Sequence, residues 1–379
     1  ILSMRSDGHC ESCLDRSGAE APSREPCRLP CYDFGNRTMS LSTVTGHRSL
    51  LYLVSRAVAR DTLPQSLLFT GPDGVGKRLV AAAVAQTFNC LSPASSGTLK
   101  IDACGLCSAC GRVARGTHTD VVTIEPGESG LITVEQVRQV IDQAAYRPFE
   151  GRRRVVIVDD ADRLSPQAQN AFLKTLEEPP DSSQFVLVTA RPDTLLDTVR
   201  SRCPQLRFGQ IAESDIVATL ITARGYTESE ARPAAAMAGG SFSQALQFAT
   251  GELTAARDAA VGLLQTVSAA PDPRARLEGA KMLISGKRSR RSTVAADRDE
   301  LGRRLRALTS LFRDLELLSA RANAGRLANA DLQAGLEKLV PSFGKGRSRQ
   351  GFEFVDRALD AVSRNVSPKV IADWLTCQL

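Results

Sequence analysis

The stretch QSLLFTGPDGVGKR, residues 65–78, restricts the fold more than anything else in the chain. Residues 65–70 read as a short buried strand that runs straight into a glycine-rich loop, and residues 79–88 then read as a helix. That order puts backbone N–H groups at the start of a helix, where they can face phosphate oxygens. Gly71, Gly74, Gly76 and Lys77 are therefore candidate nucleotide ligands. The next position breaks the pattern. Gly-x-x-x-x-Gly-Lys normally continues with Ser or Thr, whose hydroxyl binds Mg²⁺. Here it continues with Arg78, which has five donors and no acceptor. Either the loop binds nucleotide without hydrolysing it, or the match is accidental.

The rest of the chain supports an α/β reading. Further apolar, β-branched strands are expected at 121–124, 155–158 and 185–188, with helices near 133–145 and 166–177. Alternation of this kind implies a parallel sheet covered on both faces. Beyond about residue 210 the strand signals stop. Residues 213–249 read as short helices broken at Gly225, Tyr226 and Gly239-Gly240, and 252–379 as longer amphipathic helices. At 379 residues the chain exceeds what one core usually supports. The expected order is an α/β domain (39–209), a small helical lid (210–250) and an all-helical domain (251–379). Residues 1–38 are polar and rich in Pro, Ser and Arg, with no helical or strand period. Met39 stands just before the first helical face (Leu50, Leu51, Val54, Val58), so 1–38 are expected to be a disordered leader or a mis-assigned start. The spacing of Cys10, Cys13, Cys27 and Cys31 suits zinc, but nothing around them promises a small fold, and no metal is expected there.

Three groups carry chemistry. VVIVDDAD, residues 155–162, is an apolar strand ending in acid. Asp159 is placed to hold a divalent cation, and Asp160 stands where a hydrolysing enzyme commonly has Glu to polarise water. Its carboxylate is set back by one C–C bond, about 1.5 Å, and misplacements of about 1 Å can lower a rate ~100-fold. Cys90, Cys104, Cys107 and Cys110 have spacing that suits a tetrahedral structural zinc; the alternative is four reduced, unliganded thiols. Ser201-Arg202-Cys203 follows the strand at 185–188. Arg202 is either a solvated loop charge or, in a ring of nucleotide-binding subunits, a finger reaching a neighbour's site. Ten cysteines in a long chain without a signal pattern fit metal binding better than disulfides. No apolar run approaches the ~18 residues of a membrane span, and a cytoplasmic, membrane-free protein is expected. The net charge of +6 is mild. The basic runs 152–154, 287–291 and 345–349 are expected to be solvated faces, with a polyanion surface as the alternative.

Together GPDGVGK, the four cysteines, VDDADRLSPQAQNAFLKTLEEPP (158–180) and SRC resemble, in order and approximate spacing, the bacterial DNA polymerase III clamp-loader family of AAA+ proteins. The resemblance covers residues 41–250 well and 252–379 only as a helical domain of fitting length. It implies an AAA+ P-loop domain with a zinc-module insertion at 90–112, a lid, and a helical collar. The family holds ATPase subunits (gamma and tau) and a related branch, delta prime, whose nucleotide site is often decayed. Arg78 for the Mg²⁺-binding hydroxyl, Asp160 for Glu, and Ser243 where the ATPase lids carry a phosphate-sensing Arg imply the decayed branch. Arg202, useful only to a neighbour, remains. The resemblance implies weak or absent ATPase activity, residual ATP or ADP binding with doubtful Mg²⁺ coordination, and a structural Zn²⁺. The implied partners are gamma/tau and delta subunits in a hetero-pentamer within the replisome. Through them the chain would help place a sliding clamp on primer-template DNA. The alternative is an active ATPase of the gamma/tau type.

Overall fold

In the computed structural model the glycine loop stands at the C-terminal edge of a five-stranded parallel sheet. Residues 39–379 are described, except 128, 250–252, 270–271, 285–293, 322–326, 345 and 365. The expectations for residues 1–38 and for the basic run 287–291 lie outside them.

Helix α1 (Arg48–Ala59), strand β1 (Ser66–Thr70) and helix α2 (Lys77–Asn89) come first. A hairpin of β2 (Ala94–Ser96) and β3 (Leu99–Asp102) and the short α3 (Ser108–Ala114) form an insertion. Then follow β4 (Val121–Ile124), α4 (Val134–Ala144), β5 (Arg154–Val158), α5 (Pro166–Glu177), β6 (Ser183–Thr189), α6 (Asp197–Arg202) and β7 (Gln205–Arg207). The sheet order is β4-β5-β6-β1-β7, with every pairing parallel. Every residue of β1 and β6 is buried, as a parallel strand covered on both faces requires. Alternate residues face opposite cores. Leu67, Phe69, Val155, Ile157, Val186 and Val188 belong to the core that holds α1 and α2, whereas Leu68, Val156, Val158, Phe185 and Leu187 pack under α4, α5 and α6. Thr70 is in register with Thr189, and Val158 with Leu187. The loops that follow β1, β5 and β6 therefore emerge side by side, the usual place for a ligand in such a sheet. Strand β7 was not expected: three residues of mixed polarity on the sheet edge give no periodic signal.

Three more helices follow, α7 (Glu213–Arg224), α8 (Glu228–Met237) and α9 (Phe242–Gln247). Gly225, with φ +74°, ends the first of them in the left-handed region, where a side chain would be strained. The helical part comprises α10 (Leu253–Ala269), α11 (Pro273–Ile284), α12 (Val294–Ser319), α13 (Gln333–Phe343), α14 (Arg347–Ser363) and α15 (Pro368–Gln378). Helix α12 is its axis. Leu301, Leu305, Leu308, Leu311, Phe312 and Leu315 are buried along it, at the spacing of one helical face, and it packs on α10, α13 and α14. Arg313 of α12 reaches Glu213 of α7 with Nη1–Oε2 at 2.9 Å and Nη2–Oε1 at 3.3 Å, tying these helices to the preceding three. Among the described residues no helix is long and apolar enough to cross a membrane.

The basic run 152–154 is not a uniform solvated face. Arg153 pairs with Asp61 at 2.5 Å and lies over the Phe88 ring, and Arg154 turns inward to Asp120 at 3.0 Å. Asp120 is fully buried and accepts the backbone N–H groups of Phe149 (2.7 Å), Glu150 (2.9 Å) and Gly151 (2.8 Å). Burial alone would raise its pKa, but these N–H groups and Arg154 outweigh it and hold the carboxyl at about 2. The ordinary value is 3.8, and the difference is worth roughly 2.4 kcal/mol at ~1.36 kcal/mol per pKa unit. Because the folded pKa is depressed, this stability is present above about pH 4 and is lost as pH falls towards 2. Asp120→Asn should lower unfolding stability by about 2–3 kcal/mol at pH 7 and by much less at pH 2.5. Urea titrations at the two pH values check this; an equal loss at both would contradict it.

Candidate nucleotide site, cysteine cluster and arginine edge

The glycine loop is held on three sides. A Cβ on Gly71 would come within 2.2 Å of the Phe208 carbonyl oxygen, and one on Gly74 within 2.2 Å of Ser241 Oγ and 2.3 Å of Ser243 Oγ. Close packing, as well as positive φ, therefore requires glycine at both positions. Ser243 N–H donates to the Gly74 carbonyl at 3.2 Å, which docks the start of α9 on the loop. His47 Nε2 lies 3.0 Å from the Val75 carbonyl, so this nitrogen carries the proton, and the ring packs edge-on against Phe208. Lys77 opens α2, only 6% exposed. Its Nζ donates to the carbonyls of Gly71 and Pro72, each at 2.7 Å, with Asp73 at 3.9 Å. Burial lowers its pKa against the pull of Asp73, Asp159, Asp160 and Asp162. Two of its three donors are thus spent on its own loop.

The acidic strand end is likewise occupied from within. Asp159 follows β5, and its Oδ2 accepts Arg78 Nη1 at 3.0 Å. The other arm of Arg78 pairs with Glu125, just past β4. One guanidinium thereby bridges two carboxylates at the point where a metal-binding hydroxyl would have stood. Burial and the nearby Glu125 push the Asp159 carboxyl up, and Arg78 pulls it down. Asp160 is exposed, with φ +48°, an uncommon conformation for a non-glycine residue. Although the residue as a whole is exposed, its carboxyl is partly desolvated, and this and then the charges of Asp159, Asp162 and Asp73 raise its pKa. These residues do not suit Mg²⁺, because the acid meant for it already holds a cation. They do retain loop N–H groups and one uncommitted Lys77 donor for a phosphate.

Sequence reasoning missed several members of this region. Thr189, at the end of β6, donates to Asp162 at 3.0 Å and accepts Arg191 N–H at 2.9 Å; Arg191 also pairs with Asp162 at 2.6 Å. A polar residue closing the apolar run FVLVT was a usable signal for Thr189. None existed for Glu125, which is 47 positions from Arg78 (125 − 78).

Cys90, Cys104, Cys107 and Cys110 come together with all sulfurs within 4.8 Å of one another. Cys90 and Cys107 are 4.0 Å apart, and Cys104 and Cys110 3.9 Å. A tetrahedron of ~2.3 Å Zn–S bonds has edges of about 3.8 Å, so the cluster is of the size a metal needs. Backbone N–H groups of Cys104, Cys107 and Cys110 point at sulfurs at 3.2, 3.4 and 3.5 Å. Against its burial, N–H groups of Cys110 and Leu91 bring the Cys107 thiol down to about 6, favouring the thiolate. The insertion is pinned to the domain. The Asp102 carboxylate accepts Leu41 N–H at 2.8 Å and Ser42 N–H at 3.0 Å, and Ser55 Oγ bonds both polar backbone groups of Ile101.

Arg202 is the last residue of α6, before buried Cys203. Its three hydrogen bonds run to Glu177 of α5 and to the Thr198 carbonyl.

Fold and site together define a P-loop α/β domain of the AAA+ class with a helical C-terminal part. Residues 46–212 match the protein family described as "DNA polymerase III, delta subunit". The DNA polymerase III subunit delta' of Pseudomonas aeruginosa is 40% identical over 154 residues, 40% of this chain and 45% of that one. The tau/gamma subunit of Haemophilus influenzae is 31% identical over 180 residues, 48% of this chain and 25% of that one. Residues 46–212 are thus similar to the clamp-loader subunits of DNA polymerase III. The matched stretches span a quarter to a half of these relatives' lengths. A gamma subunit-related protein of Thermotoga maritima aligns over 86% of this chain and 96% of its own, at 19% identity and a TM-score of 0.39. A TM-score that low carries no argument about this chain.

The packing against Gly74 generates a prediction. Gly74→Ala must displace Ser241 and Ser243 as well as strain the backbone, whereas a Cβ at Gly76 meets nothing within 4 Å. Gly74→Ala should destabilise by about 1–3 kcal/mol and exceed Gly76→Ala. Denaturant unfolding of both variants checks the order; equal losses would mean the start of α9 is not seated on the loop.

Proposed function

We propose that the chain is the non-hydrolysing, delta prime type of subunit in a DNA polymerase III clamp loader. The observation that carries this reading is the Arg78 guanidinium on Asp159 and Glu125, which meets internally the charge a nucleotide-bound metal would otherwise meet. Ser243 at the loop and the 40% identity to a delta' subunit support it. In this reading residues 39–209 are the nucleotide-binding-like domain, 210–250 the lid and 251–379 the collar that joins other subunits. Its partners are gamma/tau and delta subunits of a hetero-pentamer that sets a sliding clamp on primed DNA in the cytoplasm. Gly71, Gly74, Gly76 and Lys77 would hold at most the phosphates of ATP or ADP, through loop N–H groups and the Lys77 ammonium. Asp159 and Asp160 would take no part in hydrolysis. Arg202 would serve the neighbouring ATPase subunit, where a guanidinium stabilises charge developing on a transferred phosphoryl group.

Retention of Lys77 favours a second reading, an active gamma/tau-type ATPase. Steady-state ATP turnover by the isolated chain separates the two. Turnover indistinguishable from Lys77→Ala is expected. A kcat on the order of 1–10 s⁻¹, abolished in Lys77→Ala, would replace the first reading with the second.

The cysteine cluster is proposed to hold one structural Zn²⁺, closed by four thiolates and without an open position. Metal analysis should find one zinc per chain. Cys107→Ser should lose it and raise hydrogen exchange within 90–112 while β1, β5 and β6 stay protected. Zinc-free wild-type protein, purified reduced and without chelator, would contradict this.

A further inference from the structure

Helices α5 and α6 end side by side, and their last residues are Glu177 and Arg202. The stems of both are fixed from below. Leu176, beside Glu177, and Cys203, beside Arg202, are 3% and 1% exposed in the same core. Above that core the Glu177 carboxylate takes one edge of the guanidinium, with Oε2 at 3.1 Å from Nε and 2.9 Å from Nη2 of Arg202. Nη1 donates to the Thr198 carbonyl at 3.1 Å. These bonds use three of the five N–H donors of arginine, so one remains on Nη1 and one on Nη2, at the tip of the group.

We propose that Glu177 is a positioning residue for Arg202, holding the guanidinium by its Nε edge so that the two tip N–H groups face outward for a phosphate of the adjoining subunit. This rests on the finger role of Arg202 proposed above. A free arginine side chain must give up its rotamer freedom when it binds, whereas one held by carboxylate and carbonyl has already done so. Two N–H groups on adjacent nitrogens match two oxygens of a phosphate, a fit that lysine cannot reproduce. Glu177 is therefore expected to act on the rate of the chemical step and not on the neighbour's affinity for ATP, because Arg202 is useful where charge develops.

The test is steady-state ATPase of the complete reconstituted complex with DNA and clamp, comparing Glu177→Ala, Glu177→Gln, Arg202→Ala and the double variant. The share of kcat that depends on Arg202, wild type minus Arg202→Ala, should fall roughly threefold to tenfold in Glu177→Ala, since even ~1 Å of misplacement is felt strongly. KM for ATP should not move. Glu177→Gln keeps a neutral acceptor for the same edge and should recover most of the loss. The double variant should match Arg202→Ala alone, which a merely structural role would not produce. If Arg202→Ala turns over like wild type, the finger is wrong and the role of Glu177 falls with it. If Arg202→Ala is impaired but Glu177→Ala is not, Glu177 alone is overturned. A further loss in the double variant also overturns it, because Glu177 would then act through the fold.

Discussion

A single guanidinium organises the nucleotide-like site. Arg78 leaves the first turn of α2 and joins Asp159, past β5, to Glu125, past β4. It adds a side-chain bridge from α2 to two strand ends that the β4–β5 pairing already holds together, Asp159 N–H donating to the Ile124 carbonyl at 3.0 Å. Two carboxylates so close would repel each other, and the arginine between them offsets that repulsion; in the proposed reading it takes the place of a metal. The rest of the loop follows the same logic. Lys77 donates to its own loop carbonyls and the Gly74 carbonyl is taken by Ser243. A loop that elsewhere closes around phosphate is here also a joint between β1, α2 and α9.

The parts of this arrangement that were legible in the sequence are those with a period or a short spacing. The loop itself, the strands at 121–124, 155–158 and 185–188, and the cysteine quartet are local patterns whose physics is nearly complete within a few residues. What sequence reasoning missed lies in pairings between distant positions. Glu125 and Glu177 look like ordinary surface acids until the sheet register and the α5–α6 junction bring them to Arg78 and Arg202. The inward turn of Arg154 depends on Asp120, 34 positions away (154 − 120), so a basic run that reads as solvated is partly internal. Strand β7 exists because β1 offers it an edge, not because its residues prefer a strand.

The cysteine insertion shows how a module without a sizeable core can still be held. Its own separate cluster holds Cys90, Ala103 and Cys110, with Cys104 and Cys107 against it, while Leu99 joins the main core. Apolar packing of Leu99 and Ile101 on the main core is joined by polar contacts, Asp102 to the backbone at 41–42 and Ser55 to Ile101. Buried acceptors of this kind are costly to leave unpaired, so the insertion keeps its place on α1 while the sulfurs provide internal closure.

The central claim is that Arg78 stands in for the metal, and calorimetric titration of ADP into the full chain, with and without Mg²⁺, tests it most directly. The account predicts either no binding in both titrations or affinities within roughly twofold of each other, a difference of about 0.4 kcal/mol. Tightening by Mg²⁺ of tenfold or more, about 1.4 kcal/mol, would show that the cation still finds Asp159 and that the Arg78 bridge opens for it.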